Sequence, residues 1–219
     1  QAMYDGKTTL PEFAPKERVR SWLLESWCAP DWTRAPFTPG QATFARFCRE
    51  GGWDGGRIAS VECLSQGAAA WVEVASLNTA RQAPGAAAVG DVIFAVGGWN
   101  NPQSGIPLSS VEALDLSVGG GGWEQKAPMP TARHSLAVAA SGTKLFAVGG
   151  YGGIGNSLDT LEIYESATDS WSAAAPMPTA RDRLAAAIVG NTLFALGGYN
   201  DEGGHLDVVE AYDIEGGSW

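Results

Sequence analysis

Short apolar runs alternate with turn signals along the chain, and the middle of the chain shows this pattern most clearly. Residues 136–140 are a run of small apolar residues, and residues 145–148 are a second run that ends at two glycines. Residues 160–164 form a third run, and a fourth segment begins at Trp171 after the polar residues 166–170. Short runs bounded by Gly, Ser, Thr and Asp are typical of antiparallel strands. The pattern therefore predicts a unit of four short strands.

This unit repeats along the chain with a period of about 50 residues, as two short motifs show. The first motif, Phe-Ala-Val-Gly-Gly or Phe-Ala-Leu-Gly-Gly, occurs at residues 94–98, 146–150 and 194–198. The second motif, Ala-Pro-Met-Pro-Thr-Ala-Arg or the weaker Ala-Ser-Leu-Asn-Thr-Ala-Arg, occurs at residues 75–81, 127–133 and 175–181. A period of this length is typical of β-propellers, in which four-stranded blades stack radially and cover one another.

Single residues keep the same register within the repeats. The repeated set contains a tryptophan, a glutamate, an arginine and a glycine pair, at Trp71, Trp123, Trp171 and Trp219, at Glu62, Glu112, Glu162 and Glu210, at Arg81, Arg133 and Arg181, and at Gly97–Gly98, Gly149–Gly150 and Gly197–Gly198. Buried charges require partners, so we predict that the Glu and Arg bond loop backbone or each other. Glycine pairs allow close backbone approach, and the large rings are expected to fill the widening space between blades.

A combination of motifs resembles the kelch repeat: Gly-Gly-Tyr, a loop, Leu-Glu-x-Tyr, a turn, Trp, and then Ala-Pro-Met-Pro-x-x-Arg. It is most similar to the propellers of BTB–BACK–kelch adaptors of Cullin-type ubiquitin ligases. The resemblance implies an all-β kelch-type propeller over residues 44–219, with a degenerate blade at 44–80 and clear blades at 81–127, 133–175 and 181–219. Kelch propellers usually close with more blades than these, so we expect part of a larger propeller. Blades that are disordered or supplied by another chain are the alternatives.

Residues 1–43 fall outside the clear repeats and form a predicted N-terminal extension. A short helix is predicted at residues 15–27, because Val19, Trp22 and Trp27 share one helical face while charged residues lie mostly elsewhere. We expect this helix to pack on the propeller as a strap, and a partner-binding peptide is the alternative. The extension carries no visible BTB signature.

Charge and hydropathy narrow the classes of partner. The formal net charge is −10 and the isoelectric point is about 4.6. Such a charge repels phosphate backbones and argues against nucleic acid as a partner, while it suits a basic partner or serves solubility alone. No apolar stretch approaches the length of a membrane span, so no membrane insertion is expected.

The cysteines and the first residues bear on the compartment. Cys28, Cys48 and Cys63 fit no metal-binding or redox spacing. Their small, odd number favours a reducing compartment, and one disulfide with one free thiol stays open as the alternative. No signal peptide is visible. An intracellular, cytoplasmic location is therefore expected.

Candidate catalytic and metal-binding residues are few. His134 and His205 are the only histidines, and both are expected to be ordinary polar residues on loops. Residues 201–205, Asp-Glu-Gly-Gly-His, lack a fixed ligand spacing, so neither a metal site nor a cofactor is predicted. Ser135 directly follows His134, and adjacency in sequence does not make a nucleophile–base pair. We expect no enzyme activity, and a metalloenzyme with ligands outside this chain is the alternative.

The resemblance implies that partner binding occurs at loops on one propeller face. In the BTB–BACK–kelch adaptors, the residues used lie just after the glycine pair and two residues after the repeated arginine. The first set of positions holds Trp99, Asn100, Asn101, Tyr151, Tyr199 and Asn200, and the second holds Ala83, Ser135 and Arg183. Aromatic, amide and arginine side chains are good interface anchors, and plain turn chemistry is the alternative for each. Only Arg183 matches the adaptors' arginine cluster, so an acidic peptide is not implied.

The sequence thus predicts a protein-interaction module that binds a partner protein or peptide through these loops. A substrate-recognition adaptor within a multi-subunit ubiquitin ligase is the specific role that the resemblance implies. A structural subunit of a large assembly is the alternative, in which the loops and the N-terminal extension are buried against fixed neighbours.

Overall fold

The computed structural model describes residues 46–50, 59–65, 69–100, 106–118, 121–153 and 156–219. The predicted helix at residues 15–27 and the whole extension of residues 1–43 lie outside the described residues. Every regular element among the described residues is a β-strand, which confirms the all-β fold class.

The strands group into four propeller blades in chain order. The first blade contains β1 (Arg46–Glu50), β2 (Val61–Ser65) and β3 (Val72–Val74). The second contains β4 (Gly85–Val89), β5 (Val92–Val96), β6 (Val111–Asp115) and β7 (Glu124–Lys126). The third contains β8 (Ala137–Ser141), β9 (Lys144–Val148), β10 (Leu161–Glu165) and β11 (Ser170–Ala173). The fourth contains β12 (Ala185–Val189), β13 (Thr192–Leu196) and β16 (Val209–Asp213), with a small hairpin of β14 (Tyr199–Asn200) and β15 (Gly204–His205).

Consecutive strands of each blade pair antiparallel, as the pattern of apolar runs predicts. In the third blade, β8, β9 and β10 lie within one residue of the predicted runs, and Trp171 lies in β11. The turn between β8 and β9 and the turn between β10 and β11 then lie at one end of the blade. The loops that follow β9 and β11 lie together at the other end.

The inner strands β4, β8 and β12 lie side by side. Their sequences are rich in alanine, because bulky side chains would collide where blades converge. Gly85 shows how little room is left, since a Cβ on this residue would lie 2.4 Å from Val138 Cγ2.

Apolar layers between neighbouring blades form the core. The layer between the second and third blades includes Phe94, Val96, Val111, Leu136, Leu145 and Tyr164. The layer between the third and fourth blades includes Phe146, Val148, Leu161, Leu184, Leu193 and Tyr212. The third blade therefore contributes one strand face to each of these two layers, as expected for radial stacking.

Three of the four repeated tryptophans, Trp123, Trp171 and Trp219, occupy like environments. Each indole N–H donates to a backbone carbonyl 44 or 48 residues earlier, in the segment that leads into its own blade. The bonds join Trp123 Nε1 to Ala75 O (2.7 Å), Trp171 Nε1 to Ala127 O (2.8 Å) and Trp219 Nε1 to Ala175 O (2.8 Å). These bonds fasten the outermost part of each blade to its entry segment.

The repeated arginines lie buried beside the repeated glutamates. The pairs are Arg81 with Glu112, Arg133 with Glu162 at 2.5 Å, and Arg181 with Glu210 at 2.6 Å. The arginines are 0% exposed. Burial lowers the pKa of Arg133 from its ordinary value, and the Glu162 carboxylate opposes that shift. Arg133 Nη2 also donates to Ala147 O at 3.1 Å, so the guanidinium ties the entry segment to the second strand of its blade.

Cys63 lies in β2, directly opposite Cys48 in the β1–β2 pairing, and Cys63 is disulfide-bonded. The corresponding pair in the third blade is Phe146 opposite Ile163. A disulfide is the alternative that the cysteine count left open.

Candidate functional site

Two kinds of loop meet at one end of the second, third and fourth blades. One connects the second strand to the third and begins with the glycine pair, and the other enters the next blade after the repeated arginine. We call the residues that join these loops the rim. The rim comprises Gln82, Ala83, Trp99, His134, Ser135, Tyr151, Asp182, Arg183 and Tyr199.

A short backbone bridge joins the two loops in the second, third and fourth blades. It pairs the residue after the repeated arginine with the residue after the glycine pair. The bridges are Gln82 with Trp99, His134 with Tyr151, and Asp182 with Tyr199. In the second and fourth blades the bridging N–H···O distances are 2.8 and 2.9 Å. The rim aromatics are therefore held by backbone hydrogen bonds in the same position on three blades.

The glycine pair makes this arrangement possible. Gly97 and Gly98 have φ values of 63° and 99°, which favour glycine. A Cβ on Gly97 would lie 2.5 Å from Arg133 O of the next blade. The Gly98 N–H donates to that same carbonyl at 3.0 Å. The pair thus turns the chain and lets the neighbouring blade approach closely.

The residues two places after each arginine adopt left-handed backbone conformations. Ala83, Ser135 and Arg183 have φ values of 49°, 54° and 54°. Ser135 N–H donates to Ala83 O at 2.9 Å, and Arg183 N–H donates to Ser135 O at 2.8 Å. Non-glycine residues in this region cost of order 1 kcal/mol and occur often at functional sites. Here the inter-blade hydrogen bonds hold these residues in place.

Three rings stack across the second and third blades. His134 lies between Trp99, with centroids 5.6 Å apart and an interplanar angle of 18°, and Tyr151, with centroids 5.3 Å apart. Burial lowers the pKa of His134. The negative charge of Asp182 opposes this shift, and the positive charge of Arg183 adds to it. The imidazole is therefore neutral at neutral pH. Its Nδ1 lies 2.9 Å from Ser135 Oγ.

A second group lies at the fourth blade. The Asp182 side chain is 1% exposed, and its Oδ2 accepts a hydrogen bond from Ser157 Oγ at 2.9 Å. Arg183 Nε lies 3.2 Å from Asp182 Oδ1. The Arg183 guanidinium also lies over the Tyr199 ring, 5.4 Å from its centroid, while 65% of the side chain is exposed. Tyr199 meets His205 edge-on at 5.5 Å.

The structure brings most of the predicted binding residues to the rim. Trp99, Tyr151 and Tyr199 are half-buried, and Arg183 is exposed. Asn200 accepts a hydrogen bond from Gly203 N–H at 2.6 Å and donates to Ala180 O at 3.3 Å, which is turn chemistry. Asn100 is exposed at the start of its loop, and Asn101 lies outside the described residues.

Sequence reasoning assigned no rim role to His134 or Asp182. Each directly follows the repeated arginine, as Gln82 does in the second blade. This shared position in the repeat is the sequence feature that could have placed both residues at the rim. His134 was expected to be an ordinary polar loop residue, whereas the structure stacks it between two rings of the rim. Asp182, in the segment that enters the fourth blade, is buried and accepts a hydrogen bond from Ser157 in a loop of the third blade.

The geometry of the rim bears on catalysis and on metal binding. Ser135 and His134 are within hydrogen-bond distance, but the Ser135 N–H already donates to Ala83 O and is not free to stabilise an oxyanion. Within the described ranges, no three His, Cys, Asp or Glu side chains converge as metal ligands. In the same ranges no helix is long and apolar enough to cross a membrane.

Comparison with known proteins gives the family. The Kelch motif matches residues 80–130, 132–178 and 180–219. Kelch-like protein 7 of Rattus norvegicus is 31% identical over 112 residues, which are 51% of this chain and 18% of the relative. Kelch-like protein 35 of Homo sapiens is 36% identical over 125 residues, which are 54% of this chain and 21% of the relative. The chain thus matches about a fifth of the length of these relatives. On the motif match and the stacked blades, the chain belongs to the kelch-repeat family.

Proposed function

We propose that this chain is a protein-interaction scaffold that binds a partner protein or peptide through the rim. The observation that carries the proposal is the row formed by Trp99, Tyr151 and Tyr199, which backbone bridges hold at equivalent positions on three blades. Rigid aromatic side chains lose little conformational entropy on binding and are frequent interface anchors. Kelch repeats and Kelch-like relatives support the same reading of the chain as a scaffold.

The specific role we propose is recognition of a substrate as part of a larger ubiquitin-ligase adaptor. It rests on the likeness to BTB–BACK–kelch adaptors. The matched relatives are Kelch-like proteins. By the resemblance, the rim residues lie at the positions that BTB–BACK–kelch adaptors use.

Affinity capture from native extract tests the rim. The variant Trp99→Ala/Tyr151→Ala/Arg183→Ala removes two aromatic anchors and the exposed guanidinium. The control Thr143→Ala/Lys144→Ala/Glu215→Ala changes exposed residues at the opposite end of the third and fourth blades. The proposal expects the rim variant to lose partners that the control retains, with both variants keeping the far-ultraviolet spectrum of the parent. Partners that survive the rim variant contradict it.

A structural subunit of a large assembly is the second candidate, and one observation favours it. The outer sheet face of the fourth blade exposes Val189, Leu196 and Val209 at 69%, 37% and 58%. Apolar patches often mark contact surfaces, and within a larger propeller a further blade would cover this face. Capture with Leu196→Asp/Val209→Asp separates the candidates, because a structural subunit loses its neighbours in this variant and retains them in the rim variant.

A further inference from the structure

We infer that the segment held by the rim is basic, that is, a stretch of partner chain that carries arginine or lysine side chains. The inference rests on the proposed function, since it names the chemistry of what the same rim binds. Two independent features carry it: a guanidinium already seated on one rim aromatic, and the sign of the accessible charge around the rim.

Arg183 shows how the rim accommodates a cation. Its guanidinium lies 5.4 Å from the centroid of the Tyr199 ring, and its Nε lies 3.2 Å from the buried carboxylate of Asp182. Aromatic faces attract cations, and arginine is the cation most often found on them. The Tyr199 ring and the Asp182 carboxylate therefore form a cation-binding site on the fourth blade, which the guanidinium of Arg183 occupies.

Trp99 and Tyr151 hold the position of Tyr199 on the two preceding blades. Between them stands His134, whose pKa is lowered by burial. A neutral imidazole brings no positive charge to these rings. Both residues are half-buried. The second and third blades thus place two further aromatic side chains in the position that Tyr199 holds on the fourth.

The accessible charge at this end of the second, third and fourth blades is mainly negative. The exposed carboxylates on the rim-side loops are those of Asp159, Asp201, Glu202 and Asp207. Arg183 is the one exposed cation on the described rim-side loops of these blades, because Arg81, Arg133 and Arg181 are 0% exposed. The loop residues 101–105 and 154–155 contain no charged residue.

This charge distribution favours a cationic segment over an acidic one. An acidic segment would meet four carboxylates for one guanidinium whose Nε already faces Asp182. The net charge of −10 acts in the same direction at longer range. A basic segment gains from both the rings and the surrounding carboxylates.

The test measures binding of three synthetic peptides of equal length to the full chain by isothermal titration calorimetry. One peptide carries arginine and lysine, one carries glutamate in their place, and one carries glutamine. Two variants are compared with the parent. Asp201→Asn/Glu202→Gln/Asp207→Asn neutralises the rim side, and Glu73→Gln/Asp91→Asn/Glu215→Gln neutralises exposed acids away from the rim. Each changes three carboxylates, so both have a formal net charge of −10 + 3 = −7.

We expect the basic peptide to bind the parent chain at low salt. The rim-side variant should bind this peptide roughly tenfold more weakly, and the control variant should bind it as the parent does. Added salt should weaken the same binding, because exposed charges are screened. Equal or tighter binding of the glutamate or glutamine peptide overturns the inference, as does equal loss in both variants or no binding of the basic peptide.

The aromatic residues separate failure of this inference from failure of the proposed function. If Trp99→Ala/Tyr151→Ala abolishes binding of the neutral or acidic peptide, or of captured partners, the rim binds and only the basic chemistry is wrong. If the basic peptide binds with unchanged affinity to Trp99→Ala/Tyr151→Ala and to Arg183→Ala, the rim is not the site and both proposals fail.

Discussion

The third and fourth blades have nearly the same sequence pattern and very different surroundings. Val148 and Leu161 in the third blade are 0% and 1% exposed. Leu196 and Val209, at the same places in the fourth blade, are 37% and 58% exposed. The third blade lies between two neighbours, whereas the fourth is covered on one face only among the described residues.

This difference shows what the apolar pattern of a blade specifies. The alternation creates two apolar faces, but each face becomes core only where another blade covers it. Stability in repeat proteins is accordingly a sum of units and nearest-neighbour interfaces. Equivalent substitutions in the two blades should therefore have unequal effects, and the predictions below use that inequality.

The largest expected difference concerns the buried ion pairs. Arg133→Met should lower the free energy of unfolding by about 4 kcal/mol, because it leaves the Glu162 carboxylate buried without its partner. Arg181→Met should cost less, because the Glu210 side chain is 12% exposed and contacts Arg181 without an aligned hydrogen bond. Urea denaturation measures both. If both variants lose the same free energy of unfolding, the contribution of the ion pair does not depend on whether a neighbouring blade covers it.

The apolar layer gives the next effect. Phe146→Ala should cost about 3 kcal/mol, since the ring is 0% exposed between the third and fourth blades. Phe194→Ala in the half-buried equivalent position should cost about half as much. Thermal or urea denaturation of the two variants checks the ratio. If Phe194→Ala lowers the free energy of unfolding as much as Phe146→Ala does, the two blades do not differ in the way their burial indicates.

A tyrosine in each blade offers a smaller test. Tyr164 donates to Asp169 Oδ1 at 2.7 Å, whereas the position corresponding to Asp169 in the fourth blade is Gly217. Tyr164→Phe should therefore cost about 1 kcal/mol. Tyr212→Phe should cost less, because Tyr212 has no side-chain hydrogen bond within the described part of the chain. Matching urea midpoints for the two variants would refute this assignment.

The smallest expected effect depends on pH and on the rim position that holds His134 in the third blade and Asp182 in the fourth. Because the pKa of folded His134 is lowered, the unfolded chain takes up the proton first. The stability present above the ordinary histidine pKa of about 6.5 should fall as the pH drops through it. His134→Gln, which copies Gln82, should flatten this part of the profile. An NMR titration with an ordinary or raised His134 pKa would refute it.

Much of the fold could be predicted because it is periodic. The recurrence of Trp123, Trp171 and Trp219 identified the blade, and all three indoles bond equivalent carbonyls. Local runs of apolar residues placed the strands, since strand formation follows alternation and turn residues over a few positions.

The candidate site was only partly predictable. The resemblance to BTB–BACK–kelch adaptors implied that Trp99, Tyr151, Tyr199 and Arg183 share one face, and the repeat register located these positions in the chain. The environment of His134 could not be predicted, because it stacks on Trp99 of another blade. Contacts between residues distant in sequence cannot be read from the local pattern of apolar and polar residues.

From the amino-acid order alone followed the four-stranded repeat, the places of its strands and the recurrence of arginine with glutamate. Only the packed blades showed that Asp182 is buried, that Arg183 covers Tyr199 and that one face of the fourth blade is exposed. The physical reason is that burial and electrostatic environment arise between units, where residues of neighbouring blades meet, whereas the repeat pattern describes each unit by itself.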